Sequence, residues 1–182
     1  MIAADQHQIF YIHGYLSSPD GTKAQLFHQL LDAHPIRYRS IPAEQLVIKD
    51  CLKEIEKAIQ KETNPCLIGS SLGGFLAAKT ALLHHVHTCI LLNPAIIPPY
   101  VDISTIQGMP KRIIQNMKDE SLFSKRITSR FIILLGTEDE VVSNEWGLAF
   151  AKAQEATVHF YHDDHRFSHH MDELPMIINE FL

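Results

Sequence analysis

Short apolar runs, each followed by turn residues and then by a stretch of helical spacing, constrain this chain more than any other feature. IFYI at 9–12, CLI at 66–68, TCILL at 88–92 and FIILL at 131–135 carry no helical period. Runs so short and so continuously apolar suit parallel strands covered on both faces. IRYRSI at 36–41 instead alternates apolar and polar residues, which predicts a half-exposed edge strand closed by Pro42, and TVHFY at 157–161 predicts a last strand. Between them the spacing predicts helices over 22–33 (Ala24, Phe27, Leu30 and Leu31 inward), 43–61 (Leu46, Val47, Leu52, Ile55 and Ile59), 72–84, 143–154 with Ser143 as N-cap, and 171–182. Six strands alternating with helices predict an α/β fold: a mostly parallel six-stranded sheet with helices on both faces. Ligands of such sheets bind at the carboxyl ends of the strands.

Residues 95–129 break the alternation. They hold IIPPYV, polar stretches and one predicted helix at 109–117, and are expected to form a small lid or substrate wall over the sheet edge. With 182 residues the chain is expected to be a single domain, 1–182. A net charge of -5, with 16 Lys and Arg scattered among 21 Asp and Glu, leaves no basic block to neutralise phosphates and argues against a nucleic-acid partner. No apolar run approaches membrane-spanning length and the first residues lack the pattern of a secretory signal, so no membrane association and a cytoplasmic location are expected. Cys51, Cys66 and Cys89 fall inside predicted elements and are expected as reduced core residues. Oligomeric state is left open.

Between the CLI run and the 72–84 helix lies Gly69-Ser70-Ser71-Leu72-Gly73, a GxSxG pattern centred on Ser71. At such a strand-to-helix turn the central serine is strained and its Oγ stands above the sheet edge, while glycines two residues away remove side chains that would clash. A serine nucleophile there needs a histidine to take its proton and a carboxylate to orient that histidine, both on later strand-ending loops. GTEDEVV follows FIILL and offers Asp139, with Glu138 and Glu140 as rivals; His162, His165, His169 and His170 follow the last strand, and His165 is preferred. After the first strand, His13-Gly14-Tyr15 can turn a backbone amide, that of Tyr15, toward a reacting carbonyl. With the Leu72 amide at its helix start this forms an oxyanion hole, and His13 is expected to hold the loop.

The motifs HGYLSSPDGTKAQL at 13–26, LIGSSLGGF at 67–75, LLNPAIIPP at 91–99, GTEDEVV at 136–142 and the HRF and INEFL portions of the tail resemble, nearly end to end, the α/β-hydrolase superfamily and within it the small YqiA-type bacterial esterases. The resemblance implies esterase activity with Ser71, Asp139 and His165 as triad, no cofactor, and a small-molecule acyl ester or thioester as substrate.

Two other classes compete. Twelve histidines, with His165 and His169 at i, i+4 and His84, His85 and His87 clustered, raise a metal-binding protein, although no HExxH or paired-Cys signature accompanies them. The third is a binding module that kept the fold and lost turnover.

Overall fold

The four apolar runs IFYI, CLI, TCILL and FIILL all lie in strands. The computed structural model describes residues 7–182. Within them β1 (Ile9–Ile12), β2 (His34–Pro35), β3 (Cys66–Ser70), β4 (Thr88–Leu92), β5 (Arg130–Gly136) and β6 (Thr157–Tyr161) form one sheet in the order β2-β1-β3-β4-β5-β6, parallel throughout. Side chains alternate between its faces: Cys89, Leu91, Phe131, Ile133 and Leu135 enter one core, whereas Ile90, Leu92, Ile132 and Leu134 enter the other. Both faces are covered, so the alternation of direction leaves no alternation of polarity.

Among the described residues the α-helices are α1 (Thr22–Leu31), α2 (Ile48–Ile59), α3 (Leu72–Leu83), α4 (Lys111–Met117), α5 (Ser121–Ser124), α6 (Asn144–Gln154) and α7 (Leu174–Asn179). The sheet grows in two directions from the β1–β3 boundary. The chain steps from β1 out to β2 through α1, then back past β1 to β3 through α2, and onward through α3 and α6. Right-handed crossovers then require α1 to lie on the face opposite α2, α3 and α6. Phe27 and Leu31 of α1 accordingly pack with Leu174, Ile177 and Ile178 of α7 in one core, while α2, α3 and α6 fill the other. The reversal between β1 and β3 is the topological switch point, where α/β sheets open a crevice at their carboxyl edge.

Several boundaries differ from the expectations. The edge strand lies at His34–Pro35, not 36–41: the ladder continues only through the Ile36 amide to the Tyr11 carbonyl (2.9 Å). Beyond it the Tyr38 hydroxyl donates to the His13 carbonyl (3.0 Å), which draws the chain over the end of β1 and out of the sheet. The helix over 43–61 divides into a 3₁₀ turn, Ala43–Gln45, and α2. Ile48, Cys51, Ile55 and Ile59 form the buried stripe of α2; Val47 precedes it and is exposed. Leu30 is likewise exposed at the outer face of α1. The last helix is shorter than 171–182, running Leu174–Asn179. Cys51, Cys66 and Cys89 are buried and free, as expected. Among the described residues no helix is long and apolar enough to cross a membrane.

Residues 95–129 contain a 3₁₀ turn, Ile103–Thr105, then α4 and α5. The predicted helix starts at Lys111, since Pro110 is its N-cap. Ile113, Ile114, Met117 and Leu122 bury the inner side of the segment. Its polar side is tied down by an ion pair between Lys79 and Asp119 and by the Arg112 guanidinium, which donates to the carbonyls of Leu46 (2.9 Å) and Glu44 (3.2 Å).

Candidate active site

Ser71 is the residue between β3 and α3, and its backbone is held at φ 54° and ψ -116°. A non-glycine residue held there costs on the order of 1–3 kcal/mol, which the surrounding packing must offset. The turn closes because its neighbours are glycines: a Cβ on Gly73 would fall on the Ile12 carbonyl oxygen, and one on Gly69 on the carbonyl of Gly73. α3 then runs inward, buried nearly all round from Leu72 to Ala78.

Ser71 Oγ lies 3.0 Å from His165 Nε2. The other ring nitrogen, Nδ1, lies 2.8 and 2.9 Å from the two Asp139 carboxylate oxygens. Since a carboxylate accepts, Nδ1 carries the proton and Nε2 the lone pair that faces the serine. The Asp139 carboxylate is 1% exposed and takes two further hydrogen bonds on Oδ1, from the amides of Val141 (2.8 Å) and Val142 (2.9 Å). Those amides fix its rotamer.

The rivals are disposed elsewhere. Glu138 and Glu140 are exposed, with Glu138 3.7 Å from the exposed His162. His169 Nδ1 meets the His162 carbonyl (3.2 Å), and His170 donates to Asp163 (2.8 Å). His165 and His169 do not share a helix, because this segment is a loop. His84 pairs with Glu56 at 3.8 Å and His85 lies 3.5 Å from Asn64, so the 84–87 histidines do not converge.

The first loop lies against the serine turn: a Cβ on Gly14 would touch Ser71 Cβ at 3.5 Å. His13 is buried, its Nδ1–H donates to the Gly14 carbonyl (2.8 Å), and its ring stacks on Tyr38 at 4.4 Å. Burial pushes its pKa down to about 4, so it stays neutral and structural near pH 7. Arg39 holds the next stretch by donating to the carbonyls of Tyr15 (3.0 Å) and Ser17 (2.9 Å). Among the described residues the Tyr15 amide donates to no backbone carbonyl, and the Leu72 amide is one of the unpaired donors at the start of α3.

A cavity of about 890 Å³ opens over Ser71 and His165. Ala95, Ile97, Ile106, Met109, Ile114 and Met117 from the 95–129 segment make an apolar wall, completed by Val142 and Trp146. Thr22, Lys23, Arg166 and Ser168 add polar groups to the lining. Burial pushes the Lys23 ammonium down to about 8, and it donates to the Arg166 carbonyl, joining α1 to the histidine loop.

Two residues that sequence reasoning missed hold the site together. Asn93, buried and at φ 42°, donates from Nδ2 to the carbonyls of Asp164 (3.2 Å) and His165 (3.1 Å) and accepts on Oδ1 from the Gly136 amide (2.8 Å). One side chain thus joins the loop of the histidine to the strand that leads to the acid. The signal was an asparagine directly after an apolar strand, a residue type that tolerates the left-handed region. Asp163 is the second. Its fully buried carboxylate accepts from the amides of Asp164 (2.8 Å), His169 (3.1 Å) and His170 (2.9 Å) and from the His170 ring. Burial alone would raise its pKa, but these donors outweigh burial and hold the carboxyl below its usual range.

The sequence model of the uncharacterised protein family UPF0227 matches residues 8–182. The chain belongs to this family. No curated protein matches it. The UPF0227 chain is similar in structure to Est1E from Butyrivibrio proteoclasticus with ferulic acid bound (17% identity, 98% of this chain and 89% of that one, TM-score 0.78). It is also similar to alpha/beta hydrolase domain-containing protein 10 from mouse (20%, 96% and 88%, TM-score 0.75). A third similar structure is monoacylglycerol lipase from Paleococcus ferrophilus (14%, 97% and 94%, TM-score 0.72). At these identities the likeness is one of fold, and the fold of this UPF0227 chain is that of the α/β-hydrolases.

Proposed function

We propose that this UPF0227 chain is a serine hydrolase of carboxylic esters or thioesters, with Ser71 as nucleophile, His165 as base and Asp139 as the acid that orients it. The observation that carries the reading is the unbroken relay of Ser71 Oγ, His165 Nε2, His165 Nδ1 and Asp139, with contacts of 3.0 Å and then 2.8 Å. Ser71 Oγ attacks the acyl carbonyl while its proton passes to His165 Nε2, and the carbonyl oxygen becomes an oxyanion that accepts from the amides of Tyr15 and Leu72. Collapse expels the alcohol or thiol, which takes the proton from Nε2, and leaves an acyl-Ser71 ester. Water then attacks that ester, giving a proton to Nε2, and Ser71 departs with it as the carboxylic acid is released. Throughout, Nδ1–H stays with Asp139, whose charge stabilises the imidazolium.

The structurally similar proteins support the chemistry by analogy of fold: one is a monoacylglycerol lipase and one holds ferulic acid. The apolar wall from residues 95–129 fits the acyl portion of such a substrate. The test compares purified wild type with Ser71→Ala on short-chain nitrophenyl esters and matching thioesters. The variant is expected to lose on the order of 10³-fold or more in rate; equal rates overturn the proposal. Labelling by a fluorophosphonate is expected in the wild type alone.

A further inference from the structure

The amino-terminal edge of the sheet, opposite the cavity, gathers three metal-binding side chains from three adjacent strands. His7 precedes β1, Cys66 begins β3 and His87 precedes β4. The parallel register sets them side by side: Ile9 pairs with Cys66, Cys66 pairs with Thr88, the Cys66 amide donates to the Gln8 carbonyl (2.8 Å), and the His87 amide to the Pro65 carbonyl (2.9 Å). One ligand atom from each lies within 4.8 Å of the others. The two imidazoles are stacked, 4.4 Å between centroids and 26° between planes.

We propose that His7, Cys66 and His87 form a binding site for a thiophilic divalent cation, Zn²⁺ foremost, with solvent completing the coordination. The donor set is two imidazoles and a thiolate, a combination that favours Zn²⁺ over the hard cations Mg²⁺ and Ca²⁺. The hydrogen bonding prepares the rings. His7 donates Nδ1–H to the Asn64 carbonyl (3.3 Å), which leaves its lone pair on Nε2, and His87 Nδ1 lies 2.9 Å from the Thr88 hydroxyl, which orients the second ring. Tetrahedral zinc needs ligand atoms roughly 3.5 Å apart. The final closure and the untwisting of the ring stack fall to side-chain rotation, since His87 is exposed and His7 half-buried while Cys66 is fixed in the strand.

Binding takes the proton from the Cys66 thiol. Metal competes with that proton for the sulfur, so affinity rises with pH. Five residues of strand, about 16 Å, separate Cys66 from Ser71, so the metal acts on stability, cross-linking β1, β3 and β4, and not on the chemistry of the serine.

The test uses the whole chain without a histidine tag, with Co²⁺ as spectroscopic probe and Zn²⁺ in calorimetric and thermal titrations. One equivalent of Co²⁺ is expected to give thiolate-to-cobalt charge-transfer absorption, displaced by Zn²⁺, and Zn²⁺ is expected to raise the melting temperature. Cys66→Ser should abolish the absorption, and His87→Ala, at an exposed position where folding is not at risk, should weaken binding more than tenfold. His84→Ala and His169→Ala should bind as the wild type does, and ester turnover should be unchanged by the metal. Absence of the thiolate absorption in the wild type, its survival in Cys66→Ser, or unaltered affinity in His87→Ala overturns the site.

Discussion

Asn93 carries more of the site than its place at a strand end suggested. Replacing it with alanine removes three hydrogen bonds in a buried setting and leaves the Gly136 amide unpaired, at a cost of about 2 kcal/mol in stability. Because it positions the His165 loop without lining the cavity, Asn93→Ala is expected to lower kcat for nitrophenyl ester cleavage with little change in KM; an unchanged kcat would reduce its role to stability alone. His13 makes a prediction of a different kind. Its pKa is about 4 in the folded chain against an ordinary 6.5, so the unfolded chain binds the extra proton. Its contribution is present above pH 6.5 and is lost as pH falls from there toward 4, up to about 3 kcal/mol. Urea melts between pH 7 and 4.5 should show a steeper loss in the wild type than in His13→Asn, which keeps a donor for the Gly14 carbonyl and removes the titration.

At the scale of elements, the serine turn depends on how close α3 comes to β1. Gly73→Ala places a methyl group against the Ile12 backbone, which cannot rotate away, and should destabilise the fold by roughly 3 kcal/mol or more. A thermal melt checks this, and a shift of only a degree or two would mean that the helix can slide. Strands, their order along the chain and the serine turn were legible because local patterns carry them: continuous apolar runs, and two glycines flanking a serine. The edge strand was misplaced for a stated reason. Residues 36–41 alternate in polarity, yet Ile36 and Tyr38 face inward beyond the sheet, where Tyr38 packs on His13. Alternation reports which side is covered, not whether a neighbouring strand is there to pair.

For the whole molecule, the 95–129 segment is a wall pinned by Lys79–Asp119 and Arg112, and it lines the cavity that opens over Ser71. If acyl chains lie along that wall, Ile114→Trp should shift an ester panel graded by acyl length toward shorter chains, with the shortest ester still turned over; an unaltered length profile would put the acyl chain on the Lys23 side. The sequence by itself determined the parallel α/β architecture, the serine turn and the order of serine, acid and histidine, because each is written in neighbouring residues or in the succession of strand-ending loops. The sequence preferred Asp139 and His165 over their rivals, but tertiary structure alone brings that pair to Ser71: the Val141 and Val142 amides of its own loop fix the Asp139 carboxylate, and Asn93 holds the backbone of the His165 loop from the end of β4. It alone also brought His7, Cys66 and His87 to one edge. Residues far apart in the chain converge there through strand register, and register is a property of the assembled sheet.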